Sequence, residues 1–184
     1  MKKGGSAVGE DKLNAVVVDS SGNILITGSF SGIAVFDQKL LKSKGSDDIF
    51  LVKYDKAGRI LWATQTGGKG NEHSESMITD KQGNIFLTGN FNLSFSFGRS
   101  RINHIGDWDI FLAEYSPEGK MKGGTQVGGT GYDKGTGIAV DDSDHLYLTG
   151  YFIDKVSFGD IQVDSPGKEG CAFIAKWKGI LGTK

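Results

Sequence analysis

Three carboxylates, Asp11, Glu72 and Asp133, stand 61 residues apart in a chain of 184. Acids gathered by such a spacing raise one another's pKa and attract a hard cation or a basic group of a partner. Each could equally accept N–H bonds from the glycine-rich stretch before it. Trp108, Tyr132 and Tyr151 are expected as exposed aromatic candidates for a ligand-binding face, or as rings that pack between structural units. Other chemistries find less support. His73, His104 and His145 fall at three different positions of the 61-residue repeat, so they cannot form a symmetric metal ring. Asp141, Asp142 and Asp144 crowd one turn, but no acid follows at the twelfth position of a calcium loop. Cys171 is the only cysteine, so it forms no internal disulfide, and it lacks the neighbours of a zinc site or of an activated thiolate. Gly67, Gly68, Gly70 and Gly128, Gly129, Gly131 lack the Lys followed by Ser or Thr of a phosphate loop and read as linkers. Asp48 and Asp109, recurring at the same repeat position, read as acceptors for backbone amides. The expectation is no catalytic residue, no metal and no cofactor.

The elements that position these residues come from the repeat. Residues 6–66 and 67–127 share 18 identities in 61 positions without a gap, against about three or four expected by chance. Thr27, Gly28 and Phe30 return as Thr88, Gly89 and Phe91 and as Thr149, Gly150 and Phe152; Phe36 returns as Phe97 and Phe158. The third unit slips by one residue, so Phe173, Ile174, Ala175 and Trp177 answer Phe111, Leu112, Ala113 and Tyr115. Each unit holds short apolar runs rich in β-branched and aromatic residues, separated by Asx and Gly turns, which is strand chemistry. In the first unit four strands are expected, near Asn14 to Asp19, Asn23 to Phe30, Asp48 to Asp55 and Arg59 to Thr66, joined by two tight hairpins. Runs such as Val16 to Val18, apolar on both faces, fit a sheet covered on both sides. The fold class expected is all-β: β-propeller blades as three four-stranded antiparallel repeats at 6–66, 67–127 and 128–184 of one domain. Three blades cannot close a ring of the usual four to eight. The outer faces around Val17 and Phe173 therefore require either a second copy, giving a six-bladed homodimer, or further repeats of a longer chain.

The combination Asp80, Gly83, Asn84, Ile85, Leu87, Thr88, Gly89, Phe91, Phe97 and Gly98, then Asp109, Ile110, Phe111, Leu112, Ala113, Tyr115 and Gly119, resembles the bacterial SBBP β-propeller repeat. That resemblance implies propeller blades in exported or cell-surface bacterial proteins, with no assigned chemistry. The third unit departs from it, with Asp144 and His145 where the first turn has Gly and Asn, and Met1 to Ser6 do not read as an export signal.

Composition narrows the function. With 21 basic and 22 acidic residues the net charge is −1, leaving no field to hold nucleic acid, and no run is long enough to insert in a membrane. In an up-and-down blade both tight hairpins lie at one end. The long links Ser31 to Asp47, Asn92 to Trp108 and Ile153 to Gly170 lie at the other, and binding belongs on that loop-rich face. The expected function is a non-enzymatic binding or scaffold module for a protein or glycan partner. The alternatives are a glycan-processing propeller using a central acidic pocket and a structural spacer of a larger surface assembly.

Overall fold

A computed structural model describes residues 6–8, 10–97, 100–166 and 169–178, and every regular element among them is a strand. The first sheet comprises β1 (Ser6–Val8), β2 (Asp11–Val18), β3 (Ile24–Phe36), β4 (Lys39–Tyr54) and β5 (Ile60–Thr66), with β3 pairing both β1 and β2. The second is built from β6 (Glu72–Thr79) and β7 (Ile85–Phe91), then, after a small hairpin of β8 (Phe95–Phe97) and β9 (Ser100–Ile102), from β10 (Asp109–Tyr115) and β11 (Met121–Val127). The third joins β12 (Lys134–Val140), β13 (His145–Phe152) and β16 (Cys171–Lys178), with a hairpin of β14 (Lys155–Phe158) and β15 (Ile161–Asp164) between the last two. All pairings between these strands are antiparallel. The expected fourth strand of the third unit, beyond the turn at Gly179, and the residues before Ser6 lie outside the described residues.

The tight turns form because a carboxylate satisfies the amides the turn exposes. Asp19 Oδ1 accepts from the N–H of Ser21 and Asn23, both at 2.9 Å, and Asp141 Oδ1 does the same for Ser143 and His145. Gly22 and Gly83 sit at φ of 79° and 82°, and Asp144 takes that left-handed place at 60° in the third unit. The substitution seen in the sequence thus leaves the turn intact.

At the other end the long links fold back over their own sheets. Phe36 packs 4.9 Å from Phe50, Phe97 5.4 Å from Phe111, and Phe158 4.9 Å from Phe173, so one aromatic contact recurs in every unit. In the first unit the link extends β3 and β4 themselves; in the other two it is a separate hairpin.

The sheets pack in series, β2 against β6 and β6 against β12. Leu25, Ile49 and Leu51 meet Met77, Ile85, Leu87 and Phe111 in one core, and Phe86 and Leu112 meet Leu146 in another. Every residue of β7 and β10 is buried, so the reading of apolar runs as covered on both faces holds for the middle sheet. It fails for β2. Val16 and Val18 occupy the positions at which Met77 and Thr79 face the preceding sheet, and among the described residues they remain 61% and 62% exposed. Ile174, equivalent to the wholly buried Leu112, is 72% exposed.

Each first strand carries one bulge. Register slips between Leu13 and Ala15, Ser74 and Ser76, and Gly135 and Gly137, leaving Asn14, Glu75 and Thr136 as the extra residues. The bulge brings the carbonyl of Lys12, His73 or Lys134 over the facing strand. A Cβ on Gly28, Gly89 or Gly150 would lie 1.8, 1.9 or 2.1 Å from that oxygen, which is why the repeat keeps glycine there.

Candidate functional site

The starts of β6, β10 and β12 and the ends of β7 and β13 meet at the end of the sheets opposite the tight turns, the face that also carries the long links. Trp108, Tyr132 and Tyr151 gather there. The ring centroids of Trp108 and Tyr132 lie 6.1 Å apart, and Tyr132 and Tyr151 stack at 5.8 Å with 9° between their planes. The backbone fixes the row: Trp108 bridges to Tyr132 in parallel, and the Asp133 N–H donates to the Trp108 carbonyl at 2.8 Å. His73 extends it, its ring 5.2 Å from Trp108 and its Nε2 2.9 Å from Asp47 Oδ2. The result is a ladder of four half-buried rings running from the second sheet onto the third. Lys134 reaches Glu75 Oε1 at 2.7 Å beside it. Partial burial, then the neighbouring Tyr151 and Glu75, push the Tyr132 phenol above its ordinary range.

The three spaced acids do not stay together. Asp11 is exposed, whereas Glu72 and Asp133 are wholly buried at the junctions between successive sheets. Each buried acid accepts from a linker glycine, Gly68 N–H to Glu72 Oε2 and Gly129 N–H to Asp133 Oδ2, both at 2.7 Å. Each also has a partner 24 residues upstream, Asp48 or Asp109, itself wholly buried. A Cβ on Gly67 would come 2.4 Å from Asp48 Cγ and 2.7 Å from Glu72 Oε2, so the two carboxyls converge on this glycine. A Cβ on Gly128 would come 2.0 Å from Asp109 Oδ1. Gly67 and Gly128 are glycine because the acids fill the space a side chain would need.

Asp48 and Asp109 bond loop amides, those of Lys44 at 3.2 Å and Ile105 at 2.6 Å, together with the side-chain amides of Gln65 and Gln126. Among the described residues Glu72 Oε1 and Asp133 Oδ1 have no hydrogen-bond partner. Burial above all, and then the neighbouring Asp48 or Asp109 charge, push Glu72 and Asp133 each up to about 7. A proton on Glu72 and on Asp133 removes the cost of a second buried negative charge beside Asp48 or Asp109. Among the described residues no three His, Cys, Asp or Glu side chains gather in a metal-binding group.

Reasoning from sequence missed two parts of this site. His73 was set aside with the other histidines because its repeat position is unlike theirs. The pairing of Asp48 with Glu72 and of Asp109 with Asp133 was overlooked, although the same 24-residue spacing at both junctions was available as a signal.

The chain is 23% identical over 168 residues to an uncharacterized WD repeat-containing protein of Acanthamoeba polyphaga mimivirus, the match covering 74% of this chain and 12% of that protein. It is 27% identical over 111 residues to the regulatory protein FlaEY of Caulobacter vibrioides, covering 58% of this chain and 12% of that protein. The chain thus matches about an eighth of the length of each of these curated relatives. No family model matches it, so the SBBP resemblance rests on the residues quoted above. The 61-residue repeat is longer than the roughly 40 to 45 residues of a WD repeat.

Proposed function

We propose that the chain is a non-enzymatic binding or scaffold module of β-propeller type, its three units serving as blades and its loop-bearing face as the contact surface for a protein partner. The aromatic ladder of His73, Trp108, Tyr132 and Tyr151 carries this reading: it places large, half-buried rings in one row on the face where the long links lie. Such rings supply much contact area at little entropic cost. Similarity to a WD repeat-containing protein supports a protein-interaction role. The enzymatic alternative needs an accessible pair of carboxylates, and the carboxylates paired here have no exposed surface. Protein and glycan arrays probed with the wild-type chain and with Trp108→Ala test the reading. Protein binding that the substitution removes supports it. Binding confined to glycans, or binding indifferent to Trp108, overturns it.

The outer faces belong to the same reading. Val16, Val18 and Ile174 stand where the inner junctions bury their counterparts, so the free face of the third sheet matches the free face of the first as the second sheet matches each neighbour. A second copy joined head to tail into a six-bladed ring would cover both, as would adjoining repeats in a longer chain. A monodisperse, folded monomer at micromolar concentration in light scattering counts against both arrangements.

A further inference from the structure

We infer that the aromatic ladder recognises a cationic side chain, a guanidinium or ammonium carried on an exposed segment of a protein partner, with Trp108 as the ring it lies on and Asp107 and Asp154 as the flanking acceptors. The inference rests on the proposed role of this face and adds the chemistry of what it binds.

The polar groups around the rings decide the class of ligand. Two donors beside the rings are engaged internally, His73 Nε2 with Asp47 and Lys134 with Glu75, while the Trp108 indole N–H has no partner among the described residues. The charged side chains left without an ion pair there are acidic. Asp107 precedes Trp108 and Asp154 follows Tyr151 by three residues; both are exposed, and neither makes a salt bridge among the described residues. Both are held by backbone contacts. The Asp107 N–H donates to the Gly131 carbonyl at 3.1 Å, and the Asp154 carbonyl accepts from Ser165 N–H at 2.6 Å, with Asp154 itself at a φ of 67°. Their backbones are therefore held in the segments that carry the ladder. Aromatic rings with carboxylates at neighbouring positions complement a cation, because the π quadrupole and the carboxylate attract the same charge.

The test uses an acetylated, amidated tetra-arginine peptide, its tetra-citrulline counterpart and a neutral oligosaccharide, cellohexaose, each titrated by calorimetry and tryptophan fluorescence. Citrulline keeps the shape of arginine and loses the charge. Saturable binding of the arginine peptide, with no binding of the other two, is expected. Trp108→Ala should weaken it at least about tenfold, in keeping with a desolvated cation–π contact. Asp107→Asn with Asp154→Asn, at exposed positions that do not threaten folding, should weaken it and flatten its dependence on salt. Equal binding of the citrulline peptide, binding of cellohexaose instead, or arginine binding indifferent to Trp108 and to the two aspartates would overturn the inference. If the arrays show a Trp108-dependent protein partner while the arginine peptide fails to bind, the face stands as an interaction surface and only the cationic ligand falls. If neither depends on Trp108, both readings fall.

Discussion

Leu112 and Ile174 occupy one repeat position in two different surroundings, and truncating each to alanine measures what a neighbouring sheet is worth. Leu112 has no exposed surface and sits between Phe86 of its own sheet and Leu146 of the third. Either substitution removes three side-chain carbons. At about 0.8 kcal/mol for each buried carbon, Leu112→Ala loses roughly 2.4 kcal/mol by transfer and about 3 kcal/mol once the residual cavity is included. Ile174 is 72% exposed, so the same loss scales to less than about 0.7 kcal/mol. Urea unfolding followed by far-ultraviolet circular dichroism, at a concentration where the chain is monomeric, gives both values from the shift in midpoint at constant slope. Equal losses at the two sites would refute the reasoning, since they would mean that position 174 is as buried in the monomer as position 112. A cost at Ile174 that grows with protein concentration would instead show that face being covered by another copy.

Three further outcomes are expected. In the folded protein Glu72 and Asp133 hold their protons to about pH 7, well above the unfolded values near 4. The folded state therefore binds more protons between those limits, and its melting temperature should fall as pH rises from 5 to 8, a slope that Glu72→Gln with Asp133→Asn flattens. Asp19 behaves oppositely: its bonds to Asn23 and to Lys53 Nζ at 2.9 Å outweigh burial and hold it down at about 2. Stability from this pair is present above about pH 4 and is lost as pH falls toward 2, and Asp19→Ala, which strands the buried Lys53, should cost about 3 to 5 kcal/mol in urea unfolding. Gly89→Ala, whose new methyl would meet the His73 carbonyl at 1.9 Å, should cost at least about 3 kcal/mol or prevent folding; a near-wild-type melting temperature would show that the bulge can move aside.

The strands, their turns and the repeat were legible because each rests on local chemistry. Asp19, Asp80 and Asp141 announce turns by their side-chain acceptors, and the runs after them are β-branched or aromatic. The loop face was legible from the long links that the up-and-down order of strands puts at one end, and Trp108, Tyr132 and Tyr151 were placed on it with those links. What lay beyond reach depends on neighbours. Val16 and Met77 are equally apolar, yet one faces solvent and the other a packed sheet, and no property of the residues themselves distinguishes them. The acids show the same limit. Asp11 reads like Glu72 and Asp133, yet it is exposed while they are paired with a second buried acid and dry. Cys171, at the position of Asp48 and Asp109, is half-buried and within 3.3 Å of Ser165 Oγ, which brings no second carboxylate to the third unit.

The bulges at Asn14, Glu75 and Thr136 also govern which changes of length the chain can survive. Deleting the extra residue would leave the pairs before it, such as Glu72 with Phe91, opposite the same partners, but would remove the local distortion that carries the His73 carbonyl over Gly89. Loss of Glu75 would also take the acceptor of Lys134 from beside the aromatic ladder. Insertions in the links at 31–47, 92–108 and 153–170 meet no such constraint. Among divergent copies of this repeat, length variation should therefore accumulate in those links, while the stretch from linker glycine to bulge keeps a constant count.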